Sequence, residues 1–182
     1  VKKKPTPEEK AETARQRLIE KAKEFSTGTY CRKFVAPLFQ KMIRAEFAAL
    51  SDGIALAVKD GVIQHIPRRV GQCVCVTCGK VDAWDSGIKG MHTGHFLASR
   101  RNSILLVELN TAPQCSNCNF YRDGAPSEFR IWMEAVRGVP IIEHIEALKR
   151  TSVTFSRDEL VDMRIEFSKR LKAAEQAMKG NQ

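Results

Sequence analysis

The chain has 182 residues, 43% of them hydrophobic, 28% charged and 7% aromatic, which fits one ordinary globular domain with an attached helical arm and excludes a chain disordered throughout. No apolar run approaches the roughly 18 residues of a membrane span, and Val1-Lys-Lys-Lys-Pro opens the chain with no apolar signal core, so a reducing cytoplasm is the expected compartment. Thirty Lys and Arg against 21 Asp and Glu leave a net charge of +9, a surplus that favours an anionic partner, nucleic acid first.

Thr6-Pro7-Glu8-Glu9 combines a capping threonine, a proline at the first helical position and a glutamate three residues after the cap. This predicts a helix from about Pro7 to Phe25. Leu18, Ile19 and Phe25 are its few apolar anchors, so it reads as an exposed arm. After the Ser26-Thr27-Gly28 break, Leu38, Phe39, Met42, Ile43, Phe47 and Leu50 recur at helical spacing behind Pro37, a stripe that reads as core or as a subunit interface. Ser51-Asp52-Gly53 and Asp60-Gly61 end this region, and residues 1–69 are expected to be a helical arm and helical region.

From Val70 to about Phe120 the character changes to short β-prone pieces, glycines and paired cysteines; 70–125 reads as the chemical centre. Pro126 then opens a helix with Phe129, Trp132, Met133 and Val136 on one face, closed by Gly138 and Pro140. Ile141, Ile142, Ile145 and Leu148 suggest a short successor. Ser156-Arg157-Asp158-Glu159 is a second capping box, starting an amphipathic helix through Leu160, Met163, Phe167 and Leu171 to about Met178. Residues 126–182 are thus expected to be C-terminal helices.

Cys75-Val-Thr-Cys78 and Cys115-Ser-Asn-Cys118 each place two thiolates on a tight turn, and two facing turns supply a tetrahedral site for structural zinc. A redox pair is the alternative for a single C-x-x-C and is weak for two. Cys31 and Cys73 are left over; Cys73, two residues from Cys75, is an alternative ligand. Between the knuckles lies His92-Thr93-Gly94-His95-Phe96, with Asn110 five residues before Cys115 and Asn119 directly after Cys118.

The order of these stations resembles the HNH nucleases, whose ββα-metal site presents a histidine from a strand and a metal ligand from a helix begun at the second knuckle. The closer resemblance is to the NinG (Rap) family of lambdoid phages, structure-specific endonucleases acting on branched DNA. It rests on H-T-G-H-F, on N-x-x-x-x-C-x-x-C-N, on F-R-I-W-M-E-A-V-R-G and on the closing helix after Thr154-Phe155-Ser156, from about Cys75 to Lys172. The spacing between knuckles and histidine is also similar to that of phage endonuclease VII resolvases. Where this family usually has aspartate, in D-x-G-H, the chain has His92.

The resemblance implies an α+β chain with a zinc-bound ββα-metal core embedded among helices, working in a bacterial host's cytoplasm. It implies a metal-dependent endonuclease on branched DNA, in phage recombination, leaving 5′ phosphates. His95 is then the general base, since a neutral imidazole near pH 7 can take a proton from an attacking water. His92 and Asn119 would hold a catalytic Mg²⁺ or Mn²⁺, and Asn110 would fix the loop and the His95 ring. Arg100, Arg101 and Arg122 are candidate phosphate contacts. Two symmetric cuts call for a homodimer, with the Phe39–Leu50 and Leu160–Leu171 stripes as its expected interface. The alternatives are an HNH endonuclease on ordinary duplex DNA and a zinc-dependent DNA-binding protein without cleavage.

Overall fold

The capping signals start helices where the sequence places them. In the computed structural model, which describes residues 4–50, 53–98 and 102–180, Thr6 accepts from the Glu9 backbone at 3.2 Å while Glu9 accepts from Thr6 at 2.6 Å. Helix α1 (Pro7–Ala22) follows. Ser26 caps α2 (Thr27–Tyr30), which runs through a π-helical turn at Cys31–Val35 into α3 (Ala36–Ala49). The helical path therefore starts before Pro37, which sits in the first turn of α3.

Two antiparallel pairs prepare the chemical centre and a third pair lies beside them. Strands β1 (Ile54–Lys59) and β2 (Val62–Pro67) form a hairpin closed by Asp60 and Gly61, both at positive φ (55° and 77°). An Asp-Gly turn of this kind matches the twist of the strands it joins. The hairpin corrects the expectation of a wholly helical segment up to residue 69; Asp60-Gly61 not only breaks the helical pattern but supplies the turn. β3 (Gln72–Val74) pairs with β4 (Val81–Ala83), and β5 (Met91–His95) with β6 (Thr111–Cys115), in register from Met91 opposite Cys115 to His95 opposite Thr111. Between them lie the short α4 (Asn102–Leu105) and a 3₁₀ turn at Glu108–Asn110.

After β6 a π-helical turn spans Asn117–Tyr121. It is a single turn where the resemblance implied a helix begun at the second knuckle. Asp123, Gly124 and Ala125 then all take positive φ, and α5 (Pro126–Val136) starts afresh, followed by α6 (Val139–Lys149) and α7 (Arg157–Gly180). The result is mixed α+β, helices around small antiparallel sheets. No described helix is long and apolar enough to cross a membrane.

The packing overturns two expectations about surfaces. Phe39, Met42 and Ile43 of α3 are buried in the same core as Leu160, Phe167 and Leu171 of α7, with the Phe39 and Phe167 rings 5.2 Å apart. The two stripes expected to form a subunit interface thus cover each other within one chain. Helix α1 is no free arm either: Ile19 and Ala22 are buried, and Arg15 pairs with Asp162 of α7 at 2.7 Å. Each helix had one apolar face needing cover, and α7 is long enough to cover both.

A second core joins α5 and α6 to the hairpin through Val58, Phe129, Trp132, Met133, Ile142 and Ile145, with the Trp132 indole donating to the Leu56 carbonyl at 2.8 Å. Strand β5 is fastened to α3: the Thr93 hydroxyl donates to Gln40 O at 2.7 Å, and the half-buried Arg44 donates to Trp84 O and to Thr93. Arg170 of α7 bridges Glu46 on α3 and Glu108 before β6. The strand pair carrying the histidines is therefore held by the helical core on one side.

Candidate metal centre and histidine strand

Cys75 follows β3 directly, and its turn is closed by the Cys75 amide donating to Lys80 O at 2.8 Å and the Gly79 amide to Cys75 O at 2.9 Å. Gly79 has φ +74°, which a side chain would strain. Cys115 ends β6 and Cys118 lies in the π-helical turn. Their four sulfurs fall within 4.8 Å of one another, with Cys78 and Cys115 3.7 Å apart. Four thiolates around zinc at about 2.3 Å sit roughly 3.8 Å from each other, so this donor set can hold a metal such as zinc.

Two polar side chains approach the sulfurs. The Thr77 hydroxyl lies 3.3 Å from Cys75 Sγ, and Arg122 Nη1 donates to Cys118 Sγ at 3.8 Å. Hydrogen bonding from Cys78, aided by Thr77, holds the Cys75 thiol down at about 5, while the same bond, together with burial, pushes Cys78 up and burial raises Cys118. Cys73 is excluded from the set: it is buried, hydrogen-bonds to Arg44 O at 3.2 Å, and burial pushes it up to about 12. Cys31 is buried in the core at the start of the π-helical turn that leads into α3, also outside the cluster.

Successive side chains of a strand alternate, so His92 and Gly94 share one face of β5 and Thr93 and His95 the other. His92 meets Phe120 edge-on, ring centroids 4.8 Å apart, and its Nε2 lies 2.7 Å from Ile88 O. His95 Nε2 lies 3.0 Å from Leu105 O. A carbonyl only accepts, so Nε2 carries a proton in both rings, which leaves Nδ1 as the acceptor in the neutral form of each. Burial lowers the His95 pKa, opposed by its bond to Leu105.

Asn110 is fully buried. Its Oδ1 accepts from Leu97 N at 2.9 Å, and its Nδ2 donates to Leu97 O and Ile104 O, each at 3.1 Å. It closes the loop whose next residue, Leu105, meets His95. Asn119 is half-buried and directly precedes Phe120, whose ring meets His92, while the His95 ring bonds to Leu105 O in the other loop. Arg122 pairs with Glu128. Arg100 and Arg101 lie outside the described residues.

Gln114 was not foreseen. It stands opposite His92 in the register, fully buried, and its Nε2 donates to Gly124 O at 2.7 Å and Thr77 Oγ1 at 3.1 Å. Its amide thus ties the first knuckle to the segment after the second. The rest of the side chain lies across Gly94, where a Cβ would fall 2.0 Å from Oε1. The only sequence signal was a glycine inside a strand, which marks a close approach.

Residues 57–177 match the family model described as bacteriophage lambda NinG protein. The chain belongs to the NinG family. The NinG match is wider than the motif-bearing stretch from Cys75 to Lys172, reaching back into β1 and on through most of α7, and it leaves out α1 to α3. All four clustered cysteines, both β5 histidines, Asn110, Gln114 and Asn119 fall inside it. Comparison with curated proteins and with solved structures gave no match.

Proposed function

We propose that this NinG-family protein is a metal-dependent, structure-specific DNA endonuclease that hydrolyses phosphodiester bonds in branched DNA, acting as a Holliday junction resolvase in phage recombination. The observation that carries the reading is His95, a neutral imidazole with Nε2 committed to Leu105 O and Nδ1 left as a base, on a strand tied to the four-cysteine centre. Its lowered pKa keeps Nδ1 free of a proton near neutral pH, as activation of a water requires. Asn110 holds the loop that supplies this carbonyl, so it is a positioning residue for His95.

His92 Nδ1 and the Asn119 amide oxygen would hold the divalent cation, which would supply charge stabilisation to the scissile phosphate and the leaving 3′ oxygen; because His95 lies on the opposite face of β5, base and cation would have to reach the phosphate from the two sides of that strand. Both donors are neutral. Apart from the four cysteines, no group of three His, Cys, Asp or Glu side chains among the described residues can hold a metal. Phosphate oxygens and water would therefore complete the coordination shell. The net +9 charge supports phosphate affinity. Two symmetric cuts call for two copies, joined through a surface other than the mutually buried α3 and α7 stripes.

The test is cleavage of a synthetic four-way junction and of a linear duplex of equal sequence, with Mg²⁺ or Mn²⁺, by wild type and His95→Ala. Preferential cutting of the junction by wild type alone supports the reading. Equal rates on both substrates would establish the ordinary-duplex nuclease instead, and binding without cutting the non-catalytic zinc protein.

A further inference from the structure

The three most exposed large hydrophobic side chains among the described residues are Ile88 at 85%, Tyr121 at 83% and Phe120 at 58%. All three lie on the two segments that meet at His92. The Ile88 carbonyl accepts from His92 Nε2, and Phe120 packs against the same ring. Isolated exposed apolar residues need no explanation. Gathering the three extremes around one candidate site residue does.

Nor does the exposure come from loose backbone. Ser86 Oγ donates to Ala83 O and accepts from Met91 N, closing the loop that carries Ile88. Ser116 bonds through its amide to Gly90 O and through its hydroxyl to Lys89 O, tying that loop to the base of the π-helical turn. The turn is closed by Arg122 N to Asn117 O and Gly124 N to Cys118 O. The apolar groups are thus presented in a fixed arrangement, which lowers the ordering cost of binding.

We propose that Ile88, Phe120 and Tyr121 form a stacking platform for unpaired nucleobases at a DNA branch point, resting on the endonuclease reading above and giving it a source of branch preference. An aromatic face accepts any base, and an aliphatic side chain can wedge into an opened step. Three side chains are too few for a stable protein interface, which needs about 1,000 Å² or more of buried surface. Lys89 flanks the platform as an exposed cation for an adjoining phosphate, Arg122 beside it is already paired with Glu128 and Cys118, and Asp85 and Asp123 lie at the margins. A fully paired duplex offers no free base face and gains nothing from the platform.

The test measures binding by fluorescence anisotropy of the zinc-loaded full chain, with Ca²⁺ in place of Mg²⁺, to a labelled four-way junction and to a linear duplex of equal sequence. Phe120 is left intact because it touches His92. With the base stack on Tyr121 removed, Tyr121→Ala with Ile88→Ser should weaken junction binding about tenfold. Duplex affinity should stay within about twofold, and Tyr121→Trp should retain junction preference. Equal losses on both DNAs, no loss on either, or no wild-type preference for the junction would overturn the platform. A junction preference that depends on Tyr121 in a protein that cuts no DNA with Mg²⁺ or Mn²⁺ would refute the nuclease reading and leave the platform standing.

Discussion

Gly94→Ala is the sharpest probe of how the histidine strand is built. A Cβ there would meet Gln114 Oε1 at 2.0 Å, Cδ at 2.6 Å and Cγ at 2.8 Å, so turning the amide end alone does not relieve the clash. Gln114 must move as a whole, and it is fully buried with its amide held by Gly124 O and Thr77 Oγ1. Losing those two bonds and leaving polar groups half-satisfied costs about 3–4 kcal/mol. Replacing a strand glycine by alanine returns roughly 0.5–1 kcal/mol of backbone entropy. The expected net loss is about 3 kcal/mol.

All three close atoms belong to the Gln114 side chain beyond Cβ. Gly94→Ala in a Gln114→Ala background should therefore cost close to nothing, which gives a coupling of about 3 kcal/mol in the double-mutant cycle. Urea unfolding followed by the fluorescence of Trp84 and Trp132 reads it, with free zinc fixed because a bound metal shifts apparent stability. Equal costs of Gly94→Ala in the two backgrounds, or a wild-type cost below about 1 kcal/mol, would refute the argument.

His95→Ala should lower junction cleavage by about 10²–10⁴ while junction affinity stays nearly unchanged, because a general base acts in the transition state; residual activity within a few-fold of wild type in single-turnover assays would remove it from that role. Because burial lowers the His95 pKa, the acid limb of the cleavage profile should fall below the ordinary imidazole value of about 6.5. The same shift means that the unfolded chain takes up this proton first, so the stability His95 contributes is lost as pH falls from the unfolded pKa toward the folded one, measurable by urea unfolding of wild type against His95→Ala across that window. His92→Asp should move metal preference from Mn²⁺ toward Mg²⁺, since it restores a carboxylate oxygen; unchanged relative rates with the two metals would show that His92 is no ligand. Cys78→Ser or Cys115→Ser should lose zinc and unfold the centre, with elemental analysis and circular dichroism as readouts; folded wild-type protein without zinc would contradict it.

The sequence alone determined what depends on local chemistry. Both capping boxes, at Thr6 and Ser156, start helices because their side chains bond within one turn. The two C-x-x-C turns are equally local, and with the chain's spacing of His92, His95, Asn110 and Asn119 they announced the family and the four-sulfur cluster. Asp60-Gly61 carried the hairpin too, in a signal as local as the others. Tertiary structure decided what covers what. An apolar stripe at helical spacing shows that a face must be buried without naming its partner, and α3 and α1 both find theirs in α7, more than a hundred residues away. Gln114 reads as an ordinary polar residue until β5 and β6 pair and bring it over Gly94, between the two knuckles. A period of two sends His92 and His95 to opposite sides of any strand that contains both, but which segment each ring meets, Phe120 for one and Leu105 for the other, was decided by the tertiary packing around β5.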